Sequence, residues 1–413
     1  MAEEEVEILR MGHQGEGVAE RRPPLFVPYT LPGERVRVAT DESDHGSLKG
    51  ILTPSPERIK PACAHFTRCG GCALQHWQEE AYASWKEGLV AQAFSQQGIS
   101  AEISPIVRAK PHTRRRASFA VTRTKSGAVA GYYTRGTHQI VPVSMCPLVR
   151  PEIESAMQPL ADLVAGGLSR KGRASVLVTV TASGLDVMVS GGKPLDIDLR
   201  MHLSEGADRL DLARLSWEGE IVAERRLPLL ALSGIPVTLA PGAFLQATAD
   251  GEAALVASVQ EGMAGAGDVA DLFAGCGTFT FALARNANVL ALEGEAGQVE
   301  ALERAFHREG PAHHLKRITA ERRDLFRRPL LAPEMKKLDG IVFDPPRAGA
   351  AAQAAEIAKS AVPRLVAVSC NPATLARDLR ALLDGGYEIS RVQPVDQFLW
   401  SPHIEVAVHL TRR

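Results

Sequence analysis

The chain has 413 residues, a hydrophobic content of 45% and a formal net charge of −1 at pH 7, so we expect two or three globular domains. No stretch approaches the roughly 18 apolar residues of a membrane span, and the acidic amino terminus lacks the apolar segment of a secretory signal. These features predict a cytoplasmic protein with no membrane partner, and we take it to be a monomer. Because the overall charge is nearly zero, a nucleic-acid partner would have to be held by local basic patches.

Residues 1–55 are dense in strand and turn signals, with Gly15, Gly17, Pro32 and Gly33 at the turns. This pattern predicts a small β-barrel. The stretches GEGVAE and FVPYTLPGERVRV resemble the TRAM domain, an OB-like barrel that binds RNA on several RNA-modifying enzymes. An ordinary capping barrel without RNA contacts is the alternative.

Four cysteines are the candidate ligands of a metal. Cys63, Cys69 and Cys72 fall within ten residues, two glycines beside them let the backbone wrap closely, and Cys146 follows after a strand-rich stretch. In a cytosolic chain this arrangement favours a metal over disulfides, and four thiolates fit either a structural zinc or an iron-sulfur cluster. The spacing does not choose between these two, and four unrelated core thiols are the remaining alternative.

Residues 56–240 are predicted to form a β-rich central domain. A helical pattern at residues 75–97 carries aromatic residues that we expect to pack beneath the cysteine loop, and strand patterns dominate residues 103–239 and predict an antiparallel sheet. Six basic residues of this domain could form a strip of contacts to RNA phosphates: Arg114, Arg115, Arg116, Arg123, Lys125 and Arg135. A solvated sheet face is the alternative explanation for them.

Residues 241–413 alternate between strand and helix. Four segments are each predicted to be a strand that precedes a helix: VADLFAG, NVLALEGE, GIVFDPPR and LVAVSC. A final strand is predicted at EVAVHLT. Such alternation is typical of an α/β fold with a doubly wound, largely parallel sheet. Open sheets of this kind bind ligands at the carboxyl ends of their strands.

A glycine loop after the first of these strands indicates a site for an adenosine-bearing ligand. Glu293, 22 residues after Asp271, ends the next strand, where it can accept hydrogen bonds from both ribose hydroxyls. Because the loop has only two glycines, it favours S-adenosylmethionine over a dinucleotide. Asp324 is placed to meet the adenine, although it could equally cap a helix. Gln246 could contact the amino-acid end of the donor.

Three more strand ends carry reactive side chains. Asp344 precedes two prolines, which hold it in a rigid, extended turn. Cys370 directly follows a predicted buried strand, and Glu405 begins the final strand. Taken alone, Cys370 could be a small buried hydrophobe and Glu405 could be a salt-bridge carboxylate.

These residue types suit the methylation of a pyrimidine at carbon 5. That carbon is a poor nucleophile until a thiolate adds to carbon 6 and makes the ring enolate-like, and Cys370 is the candidate thiolate. After methyl transfer a general base must remove the proton from carbon 5 so that the thiolate can leave. Glu405 is the candidate base.

Six stretches of the chain carry a family resemblance: CAHFTRCGGCALQHW, MCPL, DLFAGCGTF, FDPPRAG, SCNPATLARDL and HIEVAV. Over nearly the whole chain, the sequence resembles the S-adenosylmethionine-dependent RNA uracil-5 methyltransferases of the RumA/RlmD and TrmA type. The resemblance implies Cys370 as nucleophile, Glu405 as base, and a 4Fe-4S cluster on Cys63, Cys69, Cys72 and Cys146. It implies a site for the donor and the uracil formed by Gln246, Phe273, Thr278, Glu293, Asp324 and Asp344. It also points to the branch that methylates a uridine of 23S rRNA, because the tRNA branch lacks both the barrel and the cluster.

The chain departs from the family pattern in three places. Thr278 and Thr248 stand where the family often has asparagine, so we expect rearranged hydrogen bonds to the donor. The usual Pro-His-Thr is absent near residues 398–401, which leaves the orientation of Glu405 open. The alternative functions are a tRNA uracil-5-methyltransferase and a non-catalytic RNA-binding assembly factor with a degenerate methyltransferase domain.

Overall fold

The computed structural model describes residues 2–40, 44–125 and 127–412. The outer bounds of the first and third predicted domains, residues 1 and 413, lie outside the described residues, as does the part of the first domain at residues 41–43. The predicted domain boundaries stay predictions. No helix within the described ranges has the length and apolar character needed to cross a membrane.

The amino-terminal sheet curls into a barrel-like unit, as the turn and strand signals predict. Its strands are β1 (Ala2–Met11), β2 (Glu16–Ala19), β3 (Leu25–Pro28), β4 (Arg35–Thr40) and β5 (Gly46–Thr53), in the order β3-β2-β1-β4-β5. A bridge between Phe26 and His45 brings the two edges of the sheet together. Ile8, Val36 and Val38 fill the interior.

A second sheet forms the middle of the chain, after helix α1 (Glu79–Gln96). Its strands are β6 (Arg116–Arg123), β7 (Ala128–Tyr133), β8 (Ile140–Pro142), β9 (Arg173–Thr181), β10 (Gly184–Ser190), β11 (Arg214–Trp217) and β12 (Glu220–Glu224). They lie in the order β12-β11-β10-β9-β6-β7-β8. The sheet is antiparallel as expected, except that β10 and β11 run parallel.

Two helices correct the expectation that residues 103–239 are mostly strands. They are α2 (Pro151–Ala165) and α3 (Ile197–Arg209), and both contribute to the hydrophobic core of this sheet. Pro151 stands in the first turn of α2, where its missing N–H is harmless. The side chain of Asp196 caps α3 by accepting from the N–H of Leu199 at 2.8 Å. Helical spacing is present in both segments, at Ile153, Met157 and Leu160 of α2 and at Leu199 and Leu203 of α3.

The carboxyl-terminal part is a doubly wound α/β sheet, which confirms the predicted fold class. A hairpin of β13 (Leu229–Leu232) and β14 (Ile235–Thr238) leads into it. Its elements are α4 (Ala249–Gly262), β15 (Asp268–Leu272), α5 (Thr280–Leu283), β16 (Asn288–Glu293), α6 (Ala296–Glu309), β17 (Ile318–Arg322), a 3-10 helix (Ala332–Met335), β18 (Gly340–Phe343), α7 (Ala351–Ala358), β19 (Arg364–Ser369), α8 (Pro372–Asp384), β20 (Tyr387–Val395) and β21 (Glu405–Arg412). The order is β17-β16-β15-β18-β19-β21-β20, and β21 is the strand that runs antiparallel to its neighbours.

Helix α1 connects the barrel to this carboxyl-terminal sheet. Val90 and Phe94 are buried in the core that α7 and α8 form on one face of the sheet. Tyr82, near the start of the same helix, packs with Met11 and Leu31 of the barrel. Helix α1 therefore packs against both the barrel and the carboxyl-terminal sheet and can hold them together.

Candidate active site

The predicted reactive residues meet at the carboxyl ends of the parallel strands. In the antiparallel pair formed by β19 and β21, Ser369 lies opposite Val406. The residues next to these, Cys370 and Glu405, therefore lie beside each other at the end of the pair. Asp344 directly follows β18, which pairs with β19 on its other side.

A cavity of about 980 Å³, here called the donor cavity, opens at this edge of the sheet. The structure brings six of the predicted residues to its wall: Phe273, Glu293, Asp324, Asp344, Cys370 and Glu405. Gln246 lies behind Asp344, and its Nε2 donates to Asp344 Oδ2 at 3.2 Å. Thr278 is half-buried after the glycine loop and is not among the residues that line the cavity.

The glycine loop is tied to Glu293. Gly275 has a φ of 58°, in the left-handed region that glycine adopts without strain, and its N–H donates to Glu293 Oε2 at 2.9 Å. The N–H of Glu295 donates to Oε1 of the same carboxylate at 2.8 Å. Two backbone donors thus fix the carboxylate and leave it further lone pairs for a ligand.

Two aromatic rings form part of the cavity wall. Phe273 has a φ of 61°, an uncommon conformation for a bulky residue, and its ring centroid lies 5.5 Å from that of Phe326. Asp324 Oδ1 accepts from the N–H of Phe326 at 3.0 Å. Asp324 therefore lies at the cavity and also stabilises the turn that carries Phe326, a residue that the sequence patterns did not single out.

Asp271 is the second-last residue of β15 and has no exposed surface. Its Oδ2 accepts from the Thr280 hydroxyl at 2.6 Å, and its Oδ1 has no hydrogen-bond partner in the described part of the chain. Burial raises the pKa of Asp271 to about 7, against the lowering effect of the Thr280 hydroxyl. Near neutral pH this carboxyl is therefore partly protonated beneath the glycine loop.

Gln397 completes the polar wall behind the cavity. Its Nε2 donates to Gln246 Oε1, and its Oε1 accepts from the N–H of Ala247 at 2.7 Å. A chain of side chains therefore runs from Gln397 through Gln246 to Asp344. The sequence patterns do not single out Gln397, although it stands two residues after β20 and strand ends supply most of this site.

Three ionisable groups at the centre of the site influence one another. Glu405 is 3% exposed, and burial, together with Asp344, holds the pKa of Glu405 well above its usual range. Burial raises the pKa of Asp344 to about 7. The pKa of Cys370 rises to about 11, first through burial and then through the two carboxylates, while Arg347 opposes the shift. A positive charge brought into the cavity would favour the ionised form of all three groups.

Cys370 also lines a second cavity, of about 770 Å³. Arg347 is the other residue that both cavities share. The barrel, the cysteine loop, helix α1 and the start of α8 form the walls of the second cavity, through residues that include His13, Gln14, Gly70, Cys72, Gln92 and Asn371. Since the thiol lies where the two cavities meet, two reactants can approach it from different directions.

A buried ion pair holds the segment between β20 and β21. Lys86 of α1 is fully buried, and its Nζ donates to Asp396 Oδ1 and to the backbone oxygen of His403, both at 2.7 Å. The Tyr82 hydroxyl donates to Asp396 Oδ2 at 2.8 Å and accepts from the N–H of Trp400 at 2.9 Å. These bonds position the segment that enters β21 as far as the backbone of His403, two residues before Glu405.

The four predicted metal-ligating cysteines line one cavity of about 160 Å³. The N–H of His65 donates to Cys63 Sγ and the N–H of Gly71 donates to Cys69 Sγ, each at 3.4 Å. Burial raises the pKa of Cys72 to about 12, so a bound cation would be needed to ionise this thiol near neutral pH.

No group of three or more His, Cys, Asp or Glu side chains within the described residues is arranged to hold a single metal ion. A cluster of four irons and four sulfides is larger than an ion and holds its thiolates further apart. The shared cavity and the N–H···S bonds are compatible with that larger group.

The predicted basic strip is divided in the structure. Arg115 is buried and donates to Glu252, and Arg135 donates to Glu16 at 2.7 Å. These two cations therefore join the central sheet to the α/β sheet and to the barrel. Arg123 and Lys125, in contrast, are exposed at the far end of β6.

Comparison with known proteins places the chain in a family. The profile of the family described as tRNA (Uracil-5-)-methyltransferase matches residues 238–413. An uncharacterized RNA methyltransferase of Brucella suis is 46% identical, over 99% of this chain and 98% of the relative. The 23S rRNA (uracil(1939)-C(5))-methyltransferase of Chromohalobacter salexigens is 34% identical, over 98% of this chain and 88% of the relative.

The fold has a counterpart of known structure. The tRNA (uracil-54, C5)-methyltransferase of Pyrococcus abyssi, solved with S-adenosyl-L-homocysteine, has a TM-score of 0.76 at 21% identity and covers 98% of this chain and 99% of its own. The chain therefore belongs to the S-adenosylmethionine-dependent RNA uracil-C5 methyltransferases, as the sequence resemblance predicts.

Replacing Lys86 by alanine is expected to lower the free energy of unfolding by about 3–5 kcal/mol, because Asp396 would keep a buried charge without its cation. Urea denaturation measures this loss. The matched control is Lys359→Ala, since Lys359 forms an exposed pair with Glu356 and its loss should stay within about 0.5 kcal/mol. A loss in Lys86→Ala no larger than that of the control would contradict the role of the buried pair.

Proposed function

We propose that the protein transfers a methyl group from S-adenosylmethionine to carbon 5 of a uridine in 23S rRNA, through a covalent bond between Cys370 and carbon 6. Family membership supports the overall reaction. The observation that carries the mechanism is the position of Cys370, which lines both the donor cavity and the second cavity. A nucleophile at this junction can hold the base while a donor lies on the other side.

We assign the donor cavity to S-adenosylmethionine, which supplies an electrophilic methyl group on a positively charged sulfur. Glu293 accepts from the ribose hydroxyls with the lone pairs that its two backbone donors leave available. Asp324 meets the adenine, and Phe273 packs against it. Asp344, Gln246 and Thr278 complete the donor and uracil site, as the family resemblance implies.

We assign the second cavity to the target uridine, flipped out of the folded RNA. Cys370, as the thiolate, adds to carbon 6, and the electron pair of the ring double bond moves towards carbon 5 and the neighbouring carbonyl. Carbon 5 then forms its bond to the methyl group while the donor sulfur keeps the electron pair. Glu405 takes the proton from carbon 5, the ring double bond forms again, and the Cys370 sulfur leaves with its electron pair.

The electrostatics of the cavity support an order of events. Cys370, Asp344 and Glu405 resist ionisation because they are buried together. A cationic donor beside them favours the thiolate and the carboxylates. We infer that the nucleophile and the base become competent after the donor binds. While the donor is absent, the thiol keeps its proton and is protected from reaction.

The choice of 23S rRNA rests on the accessory parts of the chain. The name of the Chromohalobacter relative, which aligns with nearly the whole chain, specifies that substrate. The barrel and the cysteine loop both contribute walls to the second cavity, so these parts face the proposed RNA side. An rRNA substrate also favours action in the cytoplasm.

We propose that Cys63, Cys69, Cys72 and Cys146 hold a 4Fe-4S cluster with a structural role. Methyl transfer moves no electrons to or from such a group, which favours structure over redox chemistry. The N–H groups of Ala73 and Leu74, directly after the cysteine loop, donate to the Trp400 oxygen at 2.9 and 3.2 Å. An ordered cysteine loop therefore supports the same segment that Lys86 holds.

Cys370→Ala is expected to abolish turnover, whereas Glu405→Gln should lower it by about 10²–10⁴-fold and accumulate a methylated RNA-protein adduct. Electrophoresis under denaturing conditions, with labelled RNA, detects the adduct. Cys276→Ala removes a buried thiol outside the proposed chemistry and is the control. A fully active Cys370→Ala variant would refute the covalent mechanism.

Incubation with labelled S-adenosylmethionine and either unmodified 23S rRNA or tRNA should place the label in 5-methyluridine from rRNA alone. Digestion to nucleosides identifies the product. Label from tRNA alone would overturn the substrate and keep the chemistry. Absence of label from both RNAs would favour the non-catalytic assembly factor.

Protein purified without oxygen is expected to contain about four irons and four sulfides per chain. Cys69→Ser should lose this iron and unfold at lower urea concentration, while Cys276→Ala should keep it. Elemental analysis and urea denaturation measure both effects. Zinc instead of iron in the wild-type protein would show that the four cysteines form a zinc site. A stable, active, iron-free Cys69→Ser variant would contradict the structural role.

A further inference from the structure

Four exposed cations gather at the end of the central sheet that lies far from Cys370 along β6. Arg123 and Lys125 come from the hairpin between β6 and β7, and Arg170 and Lys171 come from the loop between α2 and β9. Together with Thr124 they line an open cavity of about 1040 Å³. No acidic residue lines it, and in the described part of the chain none of the four cations forms an ion pair with a carboxylate.

Hydrogen bonds between the two loops preorganise this cluster. The N–H of Arg123 and the hydroxyl of Thr122 both donate to the backbone oxygen of Gly172, at 3.3 and 3.2 Å. The Arg123 guanidinium donates to the backbone oxygen of Leu168 at 3.1 Å and keeps further N–H groups free to donate. The two loops that carry the four cations are therefore held together by hydrogen bonds to backbone oxygens rather than by acidic partners.

The backbone at Lys171 adds a second observation. Its φ is 64°, in the left-handed region, where glycine is less strained than a residue with a side chain. The chain thus places a lysine at a position where its conformation is unfavourable. A functional charge is a physical reason for tolerating that strain.

The position of the cluster relates it to the active site. At the start of β6, Arg115 donates to the backbone oxygen of Gln246 at 3.1 Å, and Arg116 donates to that of Gly242 at 3.0 Å. Seven steps of roughly 3.3 Å then place Arg123 about 23 Å further along the strand. One rigid strand therefore connects the wall of the donor site to the cluster.

We propose that Arg123, Lys125, Arg170 and Lys171 form a remote binding site for the phosphate backbone of the RNA substrate. This inference rests on the proposed function and adds that the substrate is an RNA long enough to reach both sites. The phosphate backbone is a polyanion, and cations without acidic partners bind it without reading its sequence. The remote contact then raises affinity while the chemistry at Cys370 is unaffected.

The test compares Lys125→Gln/Lys171→Gln with Lys336→Gln/Lys337→Gln, a control that removes the same charge from another pair of exposed lysines. Binding of a long 23S rRNA fragment is measured between 50 and 300 mM salt. Losing two phosphate contacts should reduce the slope of log K against log salt by about 1–2, and the control should leave it unchanged. This readout needs no methylation, so it stays informative if the proposed reaction fails.

Kinetics separate a remote contact from damage to the active site. With the long fragment, KM of the double variant should rise by about three- to tenfold while kcat stays at the wild-type value. With a hairpin shorter than roughly 23 Å, both constants should match those of the wild type. An unchanged salt slope and an unchanged KM on the long fragment would overturn the proposal, as would an equal loss on both RNAs.

Discussion

The antiparallel pairing of β21 with β19 is the constraint on which the active site depends. It sets the thiol that follows one strand beside the carboxylate that begins the other. A shift of one residue in this register would turn Glu405 to the opposite face of the sheet. Both strands are buried in hydrophobic cores on the two faces of the sheet. Close packing disfavours such a shift, because each side chain would have to fit the differently shaped core on the other face.

The same burial makes the site energetically unfavourable when it is charged. Asp271, Asp344 and Glu405 all have pKa values above those of exposed carboxyls. Because folding raises these pKa values, ionisation of the three carboxyls destabilises the folded state relative to the unfolded chain. The contribution of Asp271 and Asp344 to stability is fully present below about pH 4 and is lost as the pH rises through about 7. The two hydrophobic cores of the sheet offset this loss, and a cationic ligand in the cavity would favour release of the retained protons.

The parts of the chain outside the α/β sheet surround the nucleophile on the side away from the donor cavity. The barrel, the cysteine loop and α1 form the second cavity, and the Lys86–Asp396 pair ties α1 to the segment before β21. The central sheet extends this surface through β6 to the remote cations. The donor cavity is therefore built by one sheet, whereas the proposed RNA side is assembled from every part of the chain.

The sequence by itself determined the order of strands and helices in the α/β sheet, the barrel, and the strand ends that carry Glu293, Asp344, Cys370 and Glu405. Local periodicity and turn residues suffice for Glu293, Asp344 and Cys370, since a side chain at the end of a parallel strand must lie at the carboxyl edge of the sheet. Glu405 reaches the same edge because β21 runs antiparallel to β19, a direction that the strand pattern does not fix. Only the tertiary structure decided the rest. Gln397 and Lys86 act through partners about 150 and 310 residues away, and the division of the basic strip depends on which cations find acidic partners. Such contacts leave no local pattern, because packing between distant segments creates them.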